Sequence, residues 1–110
     1  MPIFKSTPVT KIINGLTFKT SESTILSNSE YTTQGESAII VKDIKESTIK
    51  LDSKTTDNVT IKALCDVLII ADYAIDDEYD EIELQHGSSI ELRFVKNGWY
   101  IMSSDGLKNS

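Results

Sequence analysis

From Ser37 onward, apolar and polar residues alternate in short runs separated by polar turns. In 47–52 (STIKLD), Ile49 and Leu51 share one face while Thr48 and Lys50 share the other. In 58–63 (NVTIKA), Val59, Ile61 and Ala63 point inward. A period of two is the mark of a strand with one buried face. Further strands are read at 37–41 (SAIIV), 81–85 (EIELQ), 89–95 (SIELRFV) and 99–102 (WYIM). The run 67–71 (VLIIA) is apolar on both faces and needs cover on both sides. No window sustains the i, i+3, i+4, i+7 spacing of an amphipathic helix. Seven strands at intervals of roughly 8–12 residues predict an all-β fold, an antiparallel β-sandwich of jelly-roll type. Its expected limits are residues 36–104, with 105–110 as a tail. The alternative is a short β-solenoid or prism, with strands stacked along an axis; no fixed repeat length or asparagine ladder marks one.

The clearest local signal is Asn97-Gly98, which predicts a two-residue turn pairing Lys96 with Trp99 and Val95 with Tyr100. Alternation then gives one core face (Ile90, Leu92, Phe94, Trp99, Ile101) and an opposite face of Glu91, Arg93, Val95, Tyr100 and Met102. That second face is too apolar for idle solvent contact and too charged for a core. Together with the outward positions of 67–71, it gives Leu68, Ile70, Val95, Tyr100 and Met102 as the expected subunit interface, or a surface covered by the chain's own loops.

Residues 1–35 read differently. Pro2 and Pro8 hold the start extended and remove two backbone donors. Asn14-Gly15 between apolar residues suits a small hairpin. The stretch 21–33 is polar and offers only Ile25, Leu26 and Tyr31 for burial. The segment is read as an N-terminal arm, either frayed and loose or ordered against a partner. In the second case Ile3, Phe4, Ile12, Ile13, Leu16 and Phe18 would bury apolar area on that partner.

Composition narrows the classes of function. Ile, Val and Thr supply 31 of 110 residues and Ala only 4, which favours strands over helices. Seventeen acids against 11 bases give a net charge of −6, so nucleic acid and anionic membrane are not expected partners. No run is long enough to span a bilayer, and no leader peptide is read. The single Cys65 excludes an internal disulfide and fits folding in a reducing cytoplasm.

No constellation points to catalysis or a cofactor. Residues 72–83 hold seven acids and no base, which is read as a solvated loop guarding strand edges, with a Ca²⁺ site or a docking face for a basic partner as alternatives. The segment lacks D-x-D-x-D-G spacing and any glycine. His86, the only histidine, sits among turn residues. One His and one Cys do not make a zinc site, and there is no G-x-S-x-G elbow or Gly-rich phosphate loop. Cys65, between apolar neighbours, reads as a core or edge residue. An enzyme is not expected.

The C-terminal stretch carries a resemblance. Gly87-Ser88-Ser89-Ile90-Glu91-Leu92, followed by Asn97-Gly98-Trp99-Tyr100-Ile101-Met102-Ser103, resembles the ending of many bacteriophage fibre, neck and head-decoration domains. There a "GSSV-x-L" strand leads through an "NGW" turn into "WYII". Residues 37–41 and 59–62 are similar to that family's earlier strands, and the likeness spans roughly 39–103. It departs at Leu51-Asp52, where the family often has Leu-Pro. The resemblance implies an all-β virion protein, commonly a homotrimer, assembled in the host cytoplasm and attached to a major capsid or other virion protein. Its contacts would be protein surfaces rather than catalytic residues. The alternative role is a receptor- or glycan-binding fibre-tip module, for which Tyr31, Tyr73 and Tyr79 are the available rings.

Overall fold

The computed structural model describes residues 11–13, 16–18 and 23–106. It is all-β, with no helix among the described residues. Two short strands, β1 (Lys11–Ile13) and β2 (Leu16–Phe18), pair antiparallel with Ile13 opposite Leu16. That is the hairpin expected around Asn14-Gly15. The other nine strands form one continuous ladder.

Six of these nine wind as three coils. Each coil contributes one strand to each of two facing sheets. The first coil is β3 (Ser23–Leu26) and β4 (Glu30–Thr32), the second β5 (Ala38–Val41) and β6 (Glu46–Leu51), the third β7 (Asn58–Ala63) and β8 (Asp66–Ile75). Successive coils pair parallel, β3 with β5 and β5 with β7 on one sheet, and β4 with β6 and β6 with β8 on the other. The architecture is therefore a short β-solenoid, the alternative named above, and not a jelly-roll sandwich, whose strands would be antiparallel. The connections decide this. The chain passes from β7 to β8 through Leu64 and Cys65 alone, yet the two strands do not pair; the link is a corner from one sheet to the other. Corners stack as the strands do: Lys42 N donates to Leu26 O at 3.0 Å, and one coil later Leu64 N donates to Val41 O at 2.8 Å.

Stacking in register places like residues above one another. Ile39, Ile61 and Ile90 form one inner row, and Ile49, Ile69 and Ile82 form the facing row. All but Ile82 are buried to 1 % exposure or less. Each such side chain contributes about 1.5–3 kcal/mol on burial. Coil lengths vary: Ser23 lies beside Ala38 and Ala38 beside Thr60, whereas Glu30 lies beside Thr48 and Glu46 beside Asp66. Offsets of 15, 22, 18 and 20 residues leave no fixed repeat for the sequence to show.

The parallel winding ends at Asp76 and Asp77. Both adopt positive φ (52° and 59°), which short polar side chains tolerate, and the chain doubles back. Strand β9 (Tyr79–Leu84) then runs antiparallel to β8, and β10 (Ser89–Val95) antiparallel to β7. Strand β11 (Gly98–Asp105) closes a hairpin on β10 and meets β8 where Trp99 pairs with Ile75.

Three sequence expectations need correction. Residues 23–35, assigned to the arm, supply β3 and β4, because the edges of β5 and β6 give their backbone a ladder to join and their few apolar side chains a surface to bury against. Leu26 is buried, and Tyr31 packs on the core. At the other end β11 reaches Asp105, one residue into the expected tail. The C-terminal turn falls at Lys96-Asn97, with Val95 opposite Gly98 and Phe94 opposite Trp99. Lys96 takes the positive φ (56°), and Gly98 is held beneath the Tyr100 ring, where an added Cβ would lie 3.4 Å from the hydroxyl. Moving a two-residue turn by one position changes every partner but leaves each residue on its face. The core face therefore survives the wrong register.

Candidate functional site

The coils and the cap hold polar groups in different ways. At one corner of the first two coils, Tyr31 O–H donates to Glu36 Oε2, and Gln34 N donates to Glu36 Oε1 at 2.7 Å. Gly35 N donates to Thr56 Oγ1 (2.9 Å), Asp52 N to Thr33 Oγ1 (2.9 Å) and Thr55 Oγ1 to Thr33 O (2.7 Å). Thr33, Glu36 and Thr56 are buried. The hydrogen bond to Glu36, with burial and the carboxylate's charge, pushes the Tyr31 phenol up to about 12. This is a closed structural network: among the described residues, no buried side-chain nitrogen or oxygen lacks a partner.

The cap is fixed by the acids of residues 72–77. Trp99 Nε1 donates to Asp72 Oδ1 at 2.9 Å, and Ser53 donates to Asp72 Oδ2 from N (2.9 Å) and Oγ (2.7 Å). Burial is the largest single influence on Asp72 and raises its pKa, but the hydrogen bonds from Trp99 and Ser53 together outweigh it and hold the carboxyl below its ordinary range. Asp76 N donates to Trp99 O (2.8 Å), and Ile101 N donates to Asp76 Oδ1 (3.0 Å). Asp77 accepts from Tyr100 O–H at 3.3 Å, and its charge raises the Tyr100 pKa.

The acidic stretch is thus not a loop, although its seven acids are all exposed. It is the end of β8, a tight turn and β9. Its members divide by their partners. Asp72, Asp76 and Asp77 secure the hairpin, while Glu81 and Glu83 stand on the outer face of β9. Parallel pairing of β6 with β8 adds Glu46 and Asp66, remote in sequence, to that same face. These four carboxylates, with Thr48 and Leu68, line an open groove of about 540 Å³. Among the described residues no three His, Cys, Asp or Glu side chains converge as metal ligands. Ca²⁺ has no site built from them.

Leu68 and Ile70 are half-buried on the outer face of β8, in register with Glu83 and Glu81. Val95, Tyr100 and Met102 lie on the capping hairpin. Val95 is 45 % and Met102 53 % exposed, and Tyr100 is half-buried. The expected interface residues therefore occupy two sheets rather than one patch. Ile12, Ile13, Leu16 and Phe18 belong to β1 and β2; Ile3 and Phe4 lie outside the described residues.

His86 is exposed between β9 and β10, beside Gly87 at φ 94°. Cys65 is buried, with Sγ 3.8 Å from Val41 O; burial, then the charge of Asp66, raises its pKa. A thiol so placed is a small core residue. Of the three tyrosines, Tyr31 is committed to Glu36, and Tyr73 packs on Phe94 with ring centroids 5.1 Å apart. Residues 87–103 build much of the cap: Ser88 Oγ donates to Gly106 O at 3.0 Å, and Ile90, Leu92 and Trp99 fill the core. Sequence reasoning missed Glu46 and Asp66, whose only signal is the inter-coil register. No model of a known protein family matches the chain, and no curated protein matches it.

Proposed function

We propose that this chain is a non-enzymatic structural module of a bacteriophage virion, a capsid decoration or a short fibre or neck component. It self-associates through its β domain, with a homotrimer as the expected state, and attaches to a capsid or other virion protein through its N-terminal segment. The resemblance of residues 87–103 to phage fibre and decoration domains motivates the reading. The observation that carries it is the outward face of the capping hairpin, where Val95 and Met102 remain about half exposed beside Tyr100. Large apolar side chains gathered on one sheet face favour a protein contact. The test is the solution mass of the full-length chain by light scattering behind a sizing column. About three times 12.2 kDa is expected. A monomer at all concentrations sinks the self-association. A glycan-binding fibre tip is the second reading, favoured by the exposed rings of Tyr73 and Tyr79, and a glycan array without a hit removes it.

A further inference from the structure

The groove on the β4–β6–β8–β9 face is a concave anionic surface with an apolar floor. Glu46, Asp66, Glu81 and Glu83 line it, Leu68 sits between them, and no lysine or arginine is among its lining residues. Lys50, on the same sheet, already faces Glu30 at 3.7 Å. Carboxylates gathered around a half-buried leucine favour a cationic segment that carries some apolar area.

The chain itself contains such a segment. Residues 1–22 hold Lys5, Lys11 and Lys19 against one acid, Glu22, while the remaining 88 residues carry the whole of the excess negative charge. Apolar residues are interspersed with these lysines, and Lys11 pairs in register with Phe18, the residue preceding Lys19.

We propose that this acidic groove receives the lysine-bearing N-terminal segment, residues 1–22, of a second copy of the chain. The segment's lysines meet Glu46, Asp66, Glu81 and Glu83, and its apolar side chains cover Leu68 and Ile70. The proposal rests on the self-association reading above, names the surfaces that meet, and gives the N-terminal segment to the subunit contact in place of the virion contact. Two positions expected at a subunit interface, Leu68 and Ile70, would then be covered by the neighbour's segment rather than by a second sheet.

The test is a charge swap in the full-length chain, read by sedimentation velocity. One variant reverses the groove, Glu46→Lys with Glu83→Lys; another reverses the segment, Lys5→Glu with Lys11→Glu and Lys19→Glu. Glu46 and Glu83 are exposed, so the fold should tolerate their change, and circular dichroism checks it. A milder pair, Glu46→Gln with Glu83→Gln, stands in if the reversal misfolds. The wild type should assemble and weaken at least about tenfold between 0.1 and 1 M salt, as the screening length falls from about 10 to about 3 Å. Each reversed variant alone should be at least about tenfold weaker, and an equimolar mixture of the two should recover mixed assembly. Assembly that ignores either reversal, or a mixture that fails to recover, overturns the groove as the docking site and leaves self-association standing. A monomeric wild type overturns both.

Discussion

The three parallel coils and the antiparallel cap enclose the same core but hold it by different means. In the coils, stability is spread over repeated, similar contacts: the two isoleucine rows, the stacked corner hydrogen bonds, and the Thr33–Glu36–Thr56 network. In the cap it is concentrated on Trp99. That side chain is fully buried, stacks edge-on against Phe94 at 5.3 Å, and donates to Asp72 at the end of β8. A repeated architecture tolerates the loss of one unit better than a closure held by one aromatic. The difference shows where a solenoid is vulnerable, which is at the point where its winding stops.

The largest test of this contrast is Trp99→Ala. It removes the largest core side chain and leaves Asp72 without its indole donor, so about 4 kcal/mol of stability should be lost in urea unfolding. Ile69→Ala, in the middle of an inner row, should cost about 3 kcal/mol, and Ile69→Val about 1 kcal/mol. If Ile69→Ala proves the costlier of the two alanine changes, the cap is not the critical closure. Hydrogen exchange adds a spatial reading: Trp99→Ala should expose amides of β9–β11 before those of β5–β7.

Two smaller changes separate the regions by pH. Tyr31 has a folded-state pKa raised to about 12, above its unfolded value. Its contribution is therefore fully present below about pH 10 and is lost as pH rises toward 12. Tyr31→Phe should cost about 1.5 kcal/mol at neutral pH and flatten that alkaline loss, measured as urea midpoint against pH. Asp72 has the opposite sign. Its folded-state pKa is lowered, so its contribution is present above the ordinary aspartate range, near about 3.9, and is lost as pH falls through the folded value. Asp72→Asn should cost about 1 kcal/mol at pH 7 and shallow the acid limb of the same curve. Alkali should thus loosen the first coil, and acid the cap. Identical pH profiles for the two variants would erase the distinction.

Local pattern carried much of the fold into the sequence. The short strand runs locate β5–β11 to within a few residues, and in β6, β7, β10 and β11 alternation sorts the side chains correctly between core and surface, because pleat geometry depends only on neighbours along one strand. The β1–β2 hairpin was legible for the same reason. The C-terminal hairpin shows the limit: its faces were right and its turn was one residue off. Backbone preference alone favoured Asn97-Gly98, but the positive φ falls on Lys96, and Gly98 opens β11 opposite Val95. Strands β3 and β4 were not legible at all. Ser23–Leu26 and Glu30–Thr32 are short and carry little apolar area, and they become strands by adding to edges already formed by β5 and β6.

By itself, then, the sequence determined the all-β class, the inner faces of most strands, the core roles of Trp99 and Cys65, and the acidic balance. Only the tertiary structure decided that strands pair parallel between coils, since alternation is the same whichever direction the neighbour runs. It also decided which acids act together. Asp72, Asp76 and Asp77 turn to the cap, while Glu81 and Glu83 join Glu46 and Asp66 across β8. The β6–β8 register sets Glu46 beside Asp66, and the antiparallel β8–β9 pairing adds Glu81 and Glu83; both are fixed by packing, and no spacing along the chain encodes them.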